Sequence, residues 1–290
     1  MHLPWLTYIK ERFPLPVYLL LSVGMAWQGQ LALSSQFDWT ARVFGPVMIL
    51  LFFFCLRLMD EVKDYKKDLT AHPERPLPRG LVQVSTAKKV IVLCLGLQLV
   101  LGFLLLNQGL TYAAYFWLMT TIWLYLMYVE FYCGRWLEQK PFFYATTHQL
   151  IILPLVLSSA HLMGDADSRP AIWSGVMILG AFFTYEIARK LDPKAHELLQ
   201  TYRVVYGRRG ALSLMLITSA VAIAGVLLKT NGSLSSSWPY ITVVLATWIG
   251  CALWGEDKPK AAEGLASVSL LVHIWGPVVT ALFLSGKATP

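Results

Sequence analysis

Apolar residues run along this chain in blocks of about 20, the length at which a helix crosses a ~30 Å hydrocarbon core. Nine such spans can be drawn without forcing one through a charge cluster: 14–34, 41–59, 87–107, 111–131, 142–163, 171–190, 212–229, 237–254 and 264–285. Gln28, Gln30 and Arg42 interrupt or flank the first two. The pattern predicts an all-α polytopic membrane protein of about nine transmembrane helices, a single integral domain over residues 1–290. Two polar connections depart from the even spacing. Segments 60–86 and 186–211 hold most of the charge, whereas 107–111 is only a few residues long, so function is sought in the two long loops. Each begins as a helix running off its span. The first is predicted to stay helical through Asp68 or Leu69 and then turn at Pro73, Pro76 and Pro78, because proline cannot continue a helix and restricts the residue before it. The second is predicted to extend span six to Leu191, break near Pro193 and re-form before Gly207.

Composition agrees with the pattern. Of 290 residues 56% are hydrophobic and 14% charged, with a mean hydropathy of +0.55, too apolar for an ordinary soluble domain. The formal charge of +7 arises from residues distributed as topology signals, and they carry no nucleic-acid-binding motif. Of the 24 Lys and Arg, all but Arg42, Arg169, Lys229 and Lys287 fall on one side of the predicted bundle. The positive-inside rule places that side, with the N-terminus and both long loops, in the cytoplasm and the C-terminus outside, as in a plasma membrane or bacterial inner membrane. No cleavable signal is expected, since Met1 to Arg12 is short and polar-aromatic and the next span is long enough to cross. Cys55, Cys94, Cys133 and Cys251 fall in or at the ends of spans without CxxC spacing, so they read as packing residues.

The chemistry concentrates where span two meets water. Asp60, Asp64 and Asp68 stand at i, i+4 and i+8, ~40° apart per step on one helical face, so they can converge on a cation. The same charges admit a bland reading: Asp60 with Lys63 and Asp64 with Lys67 are i,i+3 pairs and Arg57 with Glu61 an i,i+4 pair, as on a solvated helix. The loop that follows tips the balance. Arg75 and Arg79 lie on a segment braced by three prolines and suit bidentate contacts to phosphate oxygens, with Lys63, Lys66 and Lys67 as nearby point charges. Mg²⁺ favours one or two carboxylates together with waters and phosphate oxygens, which describes an open acidic face facing an anionic substrate.

This stretch resembles the UbiA superfamily of membrane prenyltransferases. That family carries Asn-Asp-x-x-Asp-x-x-x-Asp at the cytoplasmic end of its second helix, then six residues, then Arg-Pro-Leu or a close variant and a Gly. Asp60-Glu61-Val62-Lys63-Asp64-Tyr65-Lys66-Lys67-Asp68, six residues, and Arg75-Pro76-Leu77-Pro78-Arg79-Gly80 match that spacing without a gap, with Asp60 for the usual Asn and Glu61 for the usual Asp. The resemblance implies that Asp60, Asp64 and Asp68, with Glu61 in support, hold Mg²⁺ bridging to the diphosphate of a prenyl donor. Arg57, Lys63, Lys67, Arg75 and Arg79 would bind that diphosphate. The implied reaction transfers an isoprenyl group to a lipophilic acceptor within the lipid bilayer. The family's second motif, Asp-x-x-x-Asp at the end of helix six, appears here as Glu186 followed by Arg189 and Lys190, so a cation replaces the second carboxylate. Either Arg189 and Lys190 contact the donor phosphate in place of one metal while Glu186 keeps a metal or water contact in the substrate site, or Glu186 and Lys190 form an ordinary i,i+4 pair beside a membrane anchor. Thr201, Gly207 and Ala211 loosely follow the family's next segment. Glu130, His148 and Gln149 read as interfacial or cavity-lining groups, and His161 and His273 as hydrogen-bonded structure. The aromatic run from Tyr112 to Tyr132 reads mainly as lipid-facing packing and interface belt. A competing class is a binding or transport protein that holds a lipid phosphate or ion without chemistry.

Overall fold

The computed structural model describes residues 4–36, 38–193 and 201–285; Lys194, within the second polar loop, and Lys287, near the C-terminus, lie outside the described residues. Each expected apolar block has become a helix. After a short α1 (Pro4–Arg12) come α2 (Leu15–Leu33), α3 (Trp39–Ala71), α4 (Val84–Asn107) and α5 (Thr111–Tyr128). A short α6 (Gly134–Glu138) precedes α7 (Pro141–Gln149) and α8 (Ile152–Ala160), which share one apolar block. Then follow α9 (Arg169–Ala188), α10 (Tyr202–Lys229), α11 (Leu234–Trp254) and α12 (Pro259–Ser285), and no strand occurs among the described residues. Taking α7 and α8 together, the described residues hold nine long rods, of which seven are long and apolar enough to cross a membrane. The other two, α2 and α5, fall below that apolarity because Gln28 and Gln30 sit in the first and Tyr, Trp and Thr fill much of the second.

Neighbours in sequence pack as neighbours in space from α2 round to α12, which closes against α2, while α2, α8 and α9 also meet one another. The most extensive packing joins α9 to α10, and small residues permit it. A Cβ added at Gly180 would strike the backbone of Ala222, and one at Gly225 the backbone of Met177.

Helix α3 positions the acid motif. Asp38 caps its start, accepting from the amides of Thr40 and Ala41 at 2.8 and 3.4 Å. Its 33 residues span ~50 Å, longer than a hydrocarbon core, and the polar stretch begins at Asp60, just where ~30 Å of apolar helix has been used up. The helix runs on through Ala71, past the expected Asp68 or Leu69, and ends against His72 and Pro73. On the second loop α9 stops at Ala188, short of the expected Leu191, and α10 re-forms at Tyr202, five residues before Gly207, which takes φ +67°. Against the motif end of α3 lies α1, a helix with Lys10 and Arg12 in its last turn and Tyr8 fully buried.

Candidate active site

The four acids of α3 have divided into two kinds. Asp60 and Asp64, one turn apart and half-buried, make no hydrogen bond or ion pair among the described residues. Glu61 is 2% exposed, and its Oε1 receives both Arg12 and Arg57 at 2.6 Å while its Oε2 has no partner. The Arg57 pair is the i,i+4 contact that the sequence spacing predicts, whereas Arg12 arrives from α1. Asp68 is also buried, and Nη1 of Arg75 donates to both its carboxylate oxygens at 2.7 Å. Glu61 and Asp68 therefore hold the N-terminal helix and the basic loop onto α3, and the open carboxylates are Asp60 and Asp64.

The lysines expected to offset these two acids reach elsewhere. Lys63 donates to the Tyr144 hydroxyl at 2.8 Å and to the Met127 carbonyl at 3.4 Å, with Glu130 at 3.7 Å. Lys67 pairs with Glu138 at 3.0 Å. Behind the motif, residues 73–80 form a run of turns closed by Gly80 at φ +77°, a left-handed position that glycine adopts without strain, and anchored by buried Leu77. Arg79 donates to the Glu74 carbonyl and to Glu11 of α1, each at 2.8 Å. Both loop arginines are thus already oriented by carboxylates, at the same end of the bundle as Asp60 and Asp64.

The end of α9 carries the second charged cluster. Glu186 is held by Arg189 at 2.5 Å and Lys190 at 2.6 Å, so the i,i+4 pair read from the sequence forms together with an i,i+3 pair. Glu186 beside it, and Asp60 to a smaller degree, drive the Arg189 guanidinium above its already high protonation range. The Tyr8 hydroxyl, on α1, is pushed up by burial and then by Glu61, and it has no hydrogen-bond partner.

Sequence reasoning missed three contributors. Arg12 counted only as a topology signal and Glu11 not at all, yet they tie α1 to Glu61 and Arg79. Tyr144 passed unnoticed among the aromatics, although it links Lys63 to Glu130, which accepts from its hydroxyl at 3.4 Å. The available signal was a charged triplet, Lys10-Glu11-Arg12, set directly before the first span. His161 is hydrogen-bonded structure as expected, with Ser168 at 2.9 Å and the Gly164 carbonyl at 3.2 Å. All four cysteines are free and only Cys133 is exposed.

Among the described residues no three His, Cys, Asp or Glu side chains converge into a cage for a metal. Asp60 and Asp64 nonetheless fit Mg²⁺, an ion that takes one or two carboxylates and completes its shell with waters and substrate phosphate oxygens. Neither acid is claimed by a competing cation, which leaves both as oxygen donors.

A sequence profile described as the UbiA prenyltransferase family matches residues 19–276. No curated protein gives a match. Among solved structures, a digeranylgeranylglyceryl phosphate synthase superposes with a TM-score of 0.63 at 18% identity, covering 96% of this chain and 98% of that one. At that identity the likeness is one of fold.

Proposed function

The chain belongs to the UbiA prenyltransferase family, and from that premise we propose that it transfers an isoprenyl group from an allylic prenyl diphosphate to a lipophilic acceptor, with Mg²⁺, at the cytoplasmic face of the membrane. The observation that carries the proposal is the pair of unpaired carboxylates, Asp60 and Asp64, set among cations from α3, the basic loop and the end of α9. An allylic diphosphate leaves readily once its charge is neutralised, and Mg²⁺ supplies part of that neutralisation when bound. Asp60 and Asp64 would hold the ion. Lys190 stands where the family has a carboxylate, with Arg189 just before it, and their fixed charge would bear on the donor phosphates from the α9 side. Arg75 and Arg79 would do so from the loop, exchanging part of their present carboxylate contacts for phosphate. The apolar helices below would take the isoprenoid tail and keep water from the allylic cation. Glu61, also expected at the metal, would act by keeping Arg12 and Arg57 at the site.

The digeranylgeranylglyceryl phosphate synthase likeness supports a lipid-like acceptor. Incubating membranes containing the protein with labelled prenyl diphosphates of several lengths and a total lipid extract, followed by mass spectrometry, is expected to give a prenylated product and free diphosphate. An intact prenyl diphosphate bound and never converted would instead establish a binding or transport protein.

A further inference from the structure

His148 presents an unused acceptor nitrogen beside the proposed reaction site. Its Nδ1 lies 2.8 Å from the Tyr144 carbonyl oxygen, which can only accept, so Nδ1 carries the proton and Nε2 the lone pair. Nε2 is closed off from solvent and has no hydrogen-bond partner. The ring stacks on Tyr144 with 4.1 Å between centroids and 13° between planes, and the hydroxyl of that tyrosine holds Lys63, the residue just before Asp64. From the α9 side Phe183 stacks on Phe142, on the same helix as His148, 5.4 Å between centroids, so α7 packs against the element that carries Glu186 and leads to Lys190. His273 also has an unpartnered Nε2, but it lies in the apolar body of α12 with the Tyr240 ring beside it and no charged residue in contact.

A buried acceptor left unsatisfied is costly, and such a group calls for something that satisfies it in the working state. The Phe131 ring lies beside the imidazole in a T-shaped contact, 6.0 Å between centroids. Phe131 belongs to an uncommon backbone run: Glu130, Phe131 and Tyr132 take φ of 51°, 52° and 57°, three successive left-handed residues without a glycine. Such positions are strained for residues with a side chain, so this turn is a place where the backbone can relax as Phe131 moves aside.

We propose that Nε2 of His148 accepts the hydrogen bond, and in the transfer step the proton, of a hydroxyl group on the acceptor, which makes the second substrate an alcohol or phenol alkylated on oxygen. This rests on the prenyl-transfer reading above. In the step the acceptor oxygen bonds to C1 of the isoprenyl group, and the C1–O bond to diphosphate breaks with its electron pair leaving on the diphosphate. The hydroxyl proton passes to Nε2, giving the imidazolium, and is lost to water once the product has left and the site is open.

The test uses the full chain in lipid nanodiscs with Mg²⁺, geranylgeranyl diphosphate labelled at C1, and a total lipid and small-molecule extract of the producing cells, untreated or with its free hydroxyl groups acetylated. Labelled product, its linkage and free diphosphate are measured together. The expected result is an ether-linked product from the untreated extract alone. In His148→Phe product formation should fall ~100-fold or more, the usual share of a positioned base, while donor binding stays at the wild-type level. His148→Gln keeps a side-chain oxygen acceptor but takes no proton, so kcat falls while the acceptor KM holds; this variant carries the test if the phenylalanine variant does not fold. A wild-type chain that releases no diphosphate overturns prenyl transfer and this inference with it. Turnover on the acetylated extract, a carbon-alkylated product, diphosphate release indifferent to the extract, or His148 variants that match wild type or lose donor binding and acceptor turnover together overturn the inference alone.

Discussion

Glu61→Gln removes one charge and almost no volume, and it leaves the guanidinium groups of Arg12 and Arg57 sharing a neutral amide. Deleting one partner of a fully buried ion pair costs ~3–5 kcal/mol, because the surviving charge stays desolvated. Here the acid is 2% exposed but the arginines are 19% and 26% exposed, so solvent screens part of the loss. The expected cost is about 2–3 kcal/mol. At ~2–4 °C per kcal/mol for a domain of this size, the melting temperature should fall by ~4–12 °C. With 11 tryptophans in the chain, intrinsic fluorescence of the detergent-solubilised protein reads the transition directly. Arg12→Ala should be costly in the wild-type background and much less so beside Glu61→Gln, a coupling of ~1 kcal/mol or more for residues in direct contact. The Mg²⁺ concentration that half-saturates diphosphate release should not move. If instead the melting temperature holds, the Arg12 and Glu61 effects simply add, and the Mg²⁺ requirement rises, then Glu61 is a metal ligand and its role as an architectural anchor is refuted.

Asp64→Ala is expected to behave oppositely: diphosphate release should drop ~100-fold or more, while stability changes by less than ~0.5 kcal/mol because Asp64 has no ion pair to lose. Turnover at the wild-type rate would reject Asp64 as a metal ligand. Arg75→Ala strands Asp68, whose side chain is 4% exposed, and should cost about 3 kcal/mol by thermal melting, with Asp68→Asn added in the same chain recovering part of it. Independent, additive losses would show that the 2.7 Å pair does not hold the loop. Gly225→Ala places a methyl group against the Met177 backbone and should destabilise by ~1–3 kcal/mol through forced separation of α9 and α10, read in the same melting assay.

What could be read from the linear chain was what a helix fixes by itself. The apolar blocks became helices because ~20 residues without a charge cluster have one low-energy state in a bilayer, and Arg57 with Glu61 and Glu186 with Lys190 met because an i,i+4 spacing puts their side chains on one face. The same local rule erred for Lys63 and Lys67, which it assigned to Asp60 and Asp64. Their partners, Tyr144, Glu130 and Glu138, lie 67 to 81 positions away and depend on how α3 meets the segment between α5 and α7. Arg12 reaching Glu61 across 49 positions is of the same kind. The consequence for function follows from that difference in range. Had the local pairs formed, each carboxylate of the open pair would carry its own ammonium partner and have less charge to offer a metal. Because packing draws the lysines to Tyr144, Glu130 and Glu138, the carboxylate oxygens of Asp60 and Asp64 stay unpaired, and the contacts least visible in the sequence are the ones that leave those two acids free to bind a cation.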